Sequence, residues 1–187
     1  MSIKEVEAKA WIKTDAEDIR VLEYCNDHGG FLGEKKKSDV YFSQKGTQEM
    51  AFRVREDGEK TTVTQKKRSL TPQGIEINEE LEFEIEEKLS FLRFMESCGY
   101  IECFRKEKQV LQYHFPHISL EGEATKILVE IVTIPNLGKF LEGEILCSED
   151  QEKAGSEIIF QIFLALGLEK NIEQKPYVLL LKNHSGT

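Results

Sequence analysis

The chain has 187 residues, 40% of them hydrophobic and 32% charged, which is typical of one globular domain rather than of a disordered chain. Its net charge is −9, with 34 acidic against 25 basic side chains, which argues against the broad basic surface that nucleic-acid binding requires. We therefore expect a single domain over residues 1–187, in which any anionic ligand is held by a local cluster of cations.

The first residues and the cysteines favour a cytoplasmic protein. The segment MSIKEVEAKA is charged and lacks the apolar stretch of a signal peptide, and no segment approaches the length of a membrane span. The four cysteines form no CxxC pair, so the sequence suggests neither a zinc ribbon nor a dithiol redox site. We predict a cytoplasmic protein that binds neither nucleic acid nor membranes.

Three segments predict helices, at residues 15–28, 86–98 and 149–166. Each has apolar residues at helical spacing and a glycine at or just beyond its end. Two of them begin with a capping box, in which a Ser or Thr and a Glu or Gln three residues later satisfy each other's backbone donors. The capping pairs are Thr14 with Glu17 and Ser148 with Gln151.

Most of the remaining chain alternates with a period of two residues, which predicts strands. These strands outnumber the helices and follow one another in runs. The pattern favours an α+β domain built on an antiparallel sheet. We expect Ser69–Ile75, which contains Pro72 and Gly74, to be a loop. We expect Lys35–Lys37 to lie in a solvated loop, which could also gather anions near a binding site.

One face of most predicted strands is charged, because side chains two residues apart on a strand share a face. The residues between them are mainly apolar. The charged sets are Glu5, Glu7 and Lys9; Arg53 and Arg55; Thr62, Thr64 and Lys66; Glu80, Glu82 and Glu84; Lys106 and Lys108; Lys126 and Glu130; and Glu142 and Glu144.

Periodicity leaves two interpretations of this charged face open. An antiparallel sheet with one solvated face would show apolar residues inside and charged residues outside. A sheet that closes into a barrel would instead enclose the charged face as a lumen and place helices over its apolar exterior. The grouping of charges in same-sign pairs counts against the solvated sheet, because like charges facing each other across strands are destabilising.

A series of short motifs follows the strands in one collinear order over nearly the whole chain. They are Glu5-Val6-Glu7-Ala8-Lys9, Asp39-Val40-Tyr41-Phe42, AFRVREDG with Arg53 and Arg55, Thr64-Gln65-Lys66, Glu82-Phe83-Glu84, Lys106-Glu107-Lys108, LGKFLEGE with Glu142 and Glu144, and a C-terminal stretch from Tyr177 to Leu181. The set resembles the CYTH superfamily, the triphosphate tunnel enzymes, and most closely its class IV adenylyl cyclase branch.

The resemblance implies a closed antiparallel β-barrel with helices packed on its outside and a charged lumen. It implies a nucleoside triphosphate or another triphosphate as ligand, Mg²⁺ or Mn²⁺ as cofactor, and a homodimer as a common assembly. The triphosphate would be bound by Lys9, Arg53, Arg55, Lys66, Lys106 and Lys108. The metal would be bound by Glu5, Glu7, Glu142 and Glu144, and the catalytic residues would be Glu142, Glu144 and Lys66.

The sequence departs from the family pattern at three positions. Val132 stands where the family often has an aspartate, and Glu130, two residues earlier, could replace it only if the strand register shifts. Lys108 stands where the family usually has arginine, and Arg105 could take its place if that strand slips. Gly143 replaces the usual aliphatic residue between the last two glutamates.

Three functions remain open on this resemblance. The first is a lyase that converts ATP into cyclic AMP and pyrophosphate. The Asp39-Val40-Tyr41-Phe42, LGKFLEGE and C-terminal motifs favour it. The second is a hydrolase of inorganic triphosphate, thiamine triphosphate or a nucleotide. The third is a protein that binds polyphosphate or a nucleotide without catalysis.

Overall fold

The computed structural model describes residues 3–58, 60–120 and 123–184, so the two ends of the predicted domain, 1–2 and 185–187, lie outside the described residues. The described chain forms eight strands and four α-helices. The strands are β1 (Ile3–Ile12), β2 (Gly30–Gln44), β3 (Met50–Asp57), β4 (Lys60–Leu70), β5 (Glu76–Glu84), β6 (Tyr100–Leu120), β7 (Glu123–Ile134) and β8 (Gly138–Ser148). The helices are α1 (Asp15–His28), α2 (Lys88–Ser97), α3 (Glu152–Ala165) and α4 (Tyr177–His184).

The strands close into a barrel in the order β1-β5-β4-β3-β2-β6-β7-β8. Each neighbouring pair is antiparallel, and β8 returns to pair with β1 from Ile3↔Ser148 to Ile12↔Lys139. The structure therefore confirms the predicted closed antiparallel barrel and excludes the half-solvated sheet.

The apolar face of β1 points outwards and is covered by α3. Val6, Ala8 and Ala10 are buried there together with Ile159 and Phe163 of the helix. Burying each large side chain of this kind contributes about 1.5–3 kcal/mol. Because this layer occupies the outer face of the sheet, the alternate side chains of β1 are left to face the lumen.

Two further helices cover other parts of the exterior. Helix α1 begins at the predicted capping box, with both reciprocal hydrogen bonds formed between Thr14 and Glu17, and it joins the same core through Val21 and Cys25. Helix α2 packs over β2, β3 and β4 through Phe91, among other residues. The predicted helix at 149–166 is formed as a short 3-10 turn, Glu149–Gln151, followed by α3.

The fourth helix, α4, contains the C-terminal motif and was not among the three predicted helices. Its Tyr177 and Leu180 pack against Val132 and Phe140, which are completely buried. These residues form an apolar layer at the end of the barrel where β7 ends and β8 begins, so the charged lumen is bordered by an apolar layer on that side. Among the described helices, none combines the length and the apolar character needed to cross a membrane.

The prediction of a solvated loop at Lys35–Lys37 is wrong, because these residues belong to β2 and pair with β6. Lys35 and Lys36 are exposed, whereas Lys37, which lies opposite Lys108, is buried in the lumen. The run of three lysines resembles a solvated loop in the sequence, but the strand turns its third side chain inwards.

Candidate active site: the charged lumen

The barrel encloses a cavity of about 280 Å³ whose wall is mostly charged. Among the described residues that line it, eight side chains are basic and seven are carboxylates, so the charges nearly balance in the empty protein. All ten sequence-predicted site residues lie on this wall: Glu5, Glu7, Lys9, Arg53, Arg55, Lys66, Lys106, Lys108, Glu142 and Glu144. The alternation along each strand, closed by the barrel, brings them together.

Three carboxylates form a cluster on neighbouring strands β1 and β8. Glu5, Glu7 and Glu144 each offer an oxygen within 4.8 Å of the others. Burial and the negative charges of Glu7 and Glu144 raise the pKa of Glu5 to about 9, and burial and the charge of Glu7 raise the pKa of Glu144 to about 7. Burial acts in the same direction on Glu7, but Lys66 and Lys9 outweigh it and hold its pKa below the usual range. We call these three residues the acidic cluster.

A single ammonium group neutralises much of this cluster. Lys66 Nζ on β4 lies 2.7 Å from Glu5 Oε1, 2.9 Å from Glu7 Oε1 and 2.8 Å from Glu80 Oε1. Burial alone would lower the pKa of Lys66, but the carboxylates around it raise it well above its ordinary value. A positive charge therefore already occupies the side of the acidic cluster that faces the lumen.

The opposite wall, made by β2, β3 and β6, holds its cations on a buried aspartate. Asp39 has no exposed surface and accepts two hydrogen bonds from Arg55, at 2.7 and 3.0 Å, while Lys106 Nζ lies 2.9 Å away. Burial would raise the pKa of Asp39, but the charges of Lys106 and Arg55 hold it well below its usual range. Asp39 thus fixes the positions of two cations that face the cavity.

Glu130 takes part in the lumen without a shift of strand register. Strands β7 and β8 pair continuously with Glu130 opposite Glu142. Glu130 lies 2.5 Å from Lys37 Nζ and 3.1 Å from Lys108 Nζ, and Lys108 also lies 2.6 Å from Glu142. These lysines hold the pKa of Glu130 below its usual range against the effect of burial. Of the four predicted metal ligands, Glu142 is therefore paired with a lysine and lies outside the acidic cluster.

The three departures from the family pattern do not disturb the lumen. Val132 belongs to the apolar layer around Phe140, so it offers no polar group there. Lys108 faces the lumen, while the alternative Arg105 is exposed and pairs with Glu102. Gly143 lies on the outer face, where an added Cβ would meet Phe163 of α3 at ordinary contact distance, 3.5 Å.

Other lumen residues were not predicted to belong to the site. Glu76 pairs with Lys9 at 2.8 Å and with Arg68 at 2.6 Å. The ring of Tyr177 lies 5.5 Å from Lys9 Nζ and 4.9 Å from Lys106 Nζ, within the range of cation–π contact. Tyr41 also lines the cavity. The Asp39-x-Tyr41 spacing places Asp39 and Tyr41 on one face and was the available signal for both. Tyr177 stands in the C-terminal motif, but that motif did not indicate that its ring faces the lumen.

Arg53 retains an unused donor. Its Nη2 donates to Thr64 Oγ1 at 3.1 Å and lies 3.9 Å from Glu82, whereas its buried Nε has no hydrogen-bond partner among the described residues. A buried guanidinium N–H without a partner is costly, so this group is ready to bind an anion.

A closed eight-stranded barrel whose lumen carries these facing acidic and basic walls is a triphosphate tunnel. The chain belongs to the CYTH domain family, which its sequence matches over residues 4–177. Members of this family bind triphosphates, typically with a divalent metal, and are generally cyclases or triphosphatases.

Solved structures share the fold at low identity. A protein from Pyrococcus horikoshii is 24% identical, with a TM-score of 0.71, over 94% of this chain and 98% of its own. A proposed adenylate cyclase from Vibrio parahaemolyticus is 17% identical, with a TM-score of 0.70, over 97% and 99%. A proposed adenylyl cyclase from Hippeastrum, described as having a dominant triphosphatase activity, is 12% identical, with a TM-score of 0.63, over 96% of each chain. A comparison with curated proteins finds no match.

Proposed function

We propose that the lumen binds a nucleoside triphosphate together with Mg²⁺ or Mn²⁺ and converts ATP into cyclic AMP and pyrophosphate. The observation that carries the proposal is the separation of charge across the barrel. The carboxylates of Glu5, Glu7 and Glu144 meet on β1 and β8, while Arg55 and Lys106 lie on the facing strands. A ligand that joins a bound cation to a chain of phosphates matches both walls.

The acidic cluster fits a divalent cation of the oxygen-binding kind. Mg²⁺ and Mn²⁺ prefer carboxylate oxygens and are commonly shared between a few carboxylates and substrate phosphates. Lys66 already places a positive charge 2.7–2.9 Å from Glu5 and Glu7, so these carboxylates are arranged to hold a cation. A divalent ion held by the acidic cluster would stabilise negative charge on the phosphoryl group under attack.

Lys66 connects the two walls in this proposal. An ion bound by Glu5 and Glu7 would take over the oxygens that Lys66 contacts, and the lysine would turn towards the phosphates. Lys66 would then neutralise charge on the leaving pyrophosphate, the role expected for a flexible point charge. The same exchange explains why a lysine assigned to phosphate binding rests on carboxylates in the empty protein.

The basic wall is suited to hold the β- and γ-phosphates as one unit. A triphosphate carries about four charges near neutral pH, and its transfer is catalysed mainly by positioning and charge stabilisation. Arg53 and Arg55 can make bidentate contacts with phosphate, and Lys106 and Lys108 add point charges. Because Asp39 fixes Arg55 and Lys106 in advance, binding would require little rearrangement of these two side chains.

The reaction is an internal displacement at the α-phosphorus. The 3′-oxygen of the ribose forms a bond to phosphorus, the bond between the α-phosphorus and the bridging oxygen breaks, and pyrophosphate leaves. The hydroxyl proton passes to a lumen carboxylate. Glu142 on β8, which lies outside the acidic cluster, is suited to accept it, because a carboxylate that holds the metal is not free to take up the proton.

A triphosphatase is the second candidate. In that reaction water would attack the terminal phosphorus, and a carboxylate would orient the water. The triphosphatase activity named for the Hippeastrum protein of the same fold favours this alternative. The lumen supplies carboxylates for either chemistry, and the class IV resemblance of the motifs is what favours the cyclase. Binding without turnover would make the protein a sensor.

Arg53→Ala is expected to weaken triphosphate binding by about 1.5–3 kcal/mol, the usual range for a charge-assisted hydrogen bond. The fold should persist, because Arg53 is not required to neutralise a fully buried carboxylate. Calorimetric titration with a non-hydrolysable triphosphate measures the change. Arg105→Ala is the matched control, since Arg105 is exposed and outside the lumen. An unchanged triphosphate affinity in Arg53→Ala would show that Arg53 does not contact the ligand.

Metal binding is expected to weaken as the pH falls from 7 to 5. Glu144, with a pKa of about 7, then becomes protonated in the free protein, and the metal must displace that proton. Glu5, with a pKa of about 9, is also protonated in this range, so an ion held by both carboxylates displaces two protons and the affinity should fall by up to about 100-fold per pH unit. Titration with Mn²⁺ followed by electron paramagnetic resonance tests the slope. Glu144→Gln should reduce the slope to about tenfold per pH unit, and an unchanged slope in this variant would show that Glu144 is not a ligand.

A further inference from the structure

The barrel wall opens between β3 and β4. These strands pair only from Asp57↔Lys60 to Arg53↔Thr64, whereas β4 continues along β5 as far as Leu70↔Glu76. The first residues of β3, 50–52, and the last residues of β4, 65–70, therefore face each other without pairing. Within the described parts of the chain, two strand edges are left free to offer backbone donors and acceptors at this opening.

A groove of about 690 Å³ lies at this opening. Met50, Ala51, Lys66 and Arg68 line both the groove and the lumen, so the two spaces adjoin each other. Lys66 is also the residue in contact with the acidic cluster. The groove thus meets the lumen beside the proposed metal-binding carboxylates rather than beside Asp39.

The groove differs from the lumen in chemistry. Its wall includes the ring of Tyr100, the thioether of Met50 and the exposed side chain of Leu81, together with the amides of Gln44 and Gln65. Tyr100 is held edge-on to Phe52, with ring centroids 5.3 Å apart. An aromatic ring and apolar side chains next to amides suit a flat organic group with polar edges. Apart from Lys66 and Arg68, which the groove shares with the lumen, its charged residues are Glu49, Lys67 and Glu79, so its own part of the wall carries one cation against two carboxylates.

We propose that this groove binds the heteroaromatic organic group of an organic triphosphate whose phosphates lie in the lumen. The inference rests on the proposed function and deepens it, because it selects an organic triphosphate over inorganic triphosphate as the substrate class. It also fixes the orientation of the substrate. The α-phosphate, which carries the organic group, lies next to the acidic cluster and Lys66, and the terminal phosphates reach towards Arg55 and Lys106.

The test compares two ligands that neither reaction can cleave, the bis-methylene analogues of ATP and of inorganic triphosphate, by calorimetry with Mg²⁺ present. Ala51→Phe places a ring at the junction of groove and lumen, and Gln65→Ala removes an exposed amide from the groove. Ala154→Phe, the same substitution at an exposed position of α3, is the matched control. We expect Ala51→Phe to lower the affinity for the ATP analogue about tenfold or more. Gln65→Ala should weaken it about threefold and change binding of the inorganic analogue by less than about twofold. Because Ala51 also lines the lumen, Ala51→Phe should weaken the inorganic analogue too, but several-fold less than the ATP analogue.

The outcomes separate the groove from the proposed function. A loss of affinity in the groove variants that is larger for the ATP analogue than for the inorganic analogue supports binding of the organic group in the groove. The groove assignment would be overturned if the groove variants lost affinity for both analogues equally or for neither. It would also be overturned if the wild-type protein bound the inorganic analogue but not the ATP analogue. In each case triphosphate binding in the lumen would still stand. Failure of the wild-type protein to bind either analogue would overturn the proposed function, and the groove with it.

Discussion

Replacing Asp39 with asparagine is expected to lower the free energy of unfolding by about 3–5 kcal/mol, the cost of removing one partner from a buried ion pair. Asp39 has no exposed surface, and it is the carboxylate on which both Arg55 and Lys106 rest. The amide is nearly the same size but carries no charge, so Arg55 and Lys106 would stay in the lumen without the negative charge that now balances them. Urea unfolding followed by circular dichroism measures the loss.

Glu84→Gln provides the control for Asp39→Asn. Glu84 pairs with Lys60 at the surface, where both side chains are more than 60% exposed, and such pairs contribute about 0–1 kcal/mol. We also expect a triphosphate to raise the melting temperature more in Asp39→Asn than in the wild-type protein, because the ligand replaces the missing charge. A loss of stability no larger than that of Glu84→Gln would show that Asp39 does not organise the basic wall.

Glu144→Gln is expected to reduce metal-dependent turnover by at least about 100-fold, since even residues that only support metal ligands cost 10–100-fold when changed. Glutamine keeps the size of the side chain but binds the ion more weakly and cannot accept a proton. The fold should be retained or stabilised, because the change removes one charge from a cluster of like charges. Steady-state assays and Mn²⁺ titration should show the two losses together.

Glu157→Gln, at an exposed position on α3, controls for Glu144→Gln. Wild-type turnover and metal affinity in Glu144→Gln would contradict the assignment of this residue. Loss of turnover with unchanged metal affinity would assign Glu144 to proton transfer alone. Glu142→Gln is also expected to reduce turnover, but there the loss of a partner for Lys108 adds to any catalytic effect.

The alternation of charged and apolar residues was enough to predict which side chains share the charged face of each strand. On β1, the residues Val6, Ala8 and Ala10 can only be buried under a helix, so Glu5, Glu7 and Lys9 must face the other way. Alternation alone did not predict closure of the sheet. Closure depends on the pairing of β8 with β1, two segments more than 120 residues apart, and it was inferred from the resemblance of the motifs.

Local sequence patterns could not predict which side chains form ion pairs across the barrel. The resemblance assigned Lys66 to phosphate, but its contacts with Glu5, Glu7 and Glu80 depend on strand register and tilt. Lys37 was missed because a run of three lysines is typical of a solvated segment. Tyr177 was missed because it reaches the lumen from a helix rather than from a strand.

The position of Val132 shows how the lumen is divided along its axis. Where the family often has an aspartate, this chain has a valine that packs with Phe140 and Tyr177. The next inward-facing residue, Glu130, is buried and held by Lys37 and Lys108. The carboxylates available for a metal are therefore those of β1 and β8, and the acidic cluster carries the catalytic proposal without a contribution from β7.

The most direct test of the proposed function is phosphorus NMR of the products formed from ATP with Mg²⁺ or Mn²⁺, with inorganic triphosphate and thiamine triphosphate as parallel substrates. The account predicts cyclic AMP and pyrophosphate in equal amounts from ATP, dependent on the metal and strongly reduced in Glu144→Gln. Orthophosphate from ATP without any cyclic nucleotide would contradict the cyclase and support the triphosphatase. Tight binding without product from any of the three substrates, in either metal, would contradict an enzymatic role.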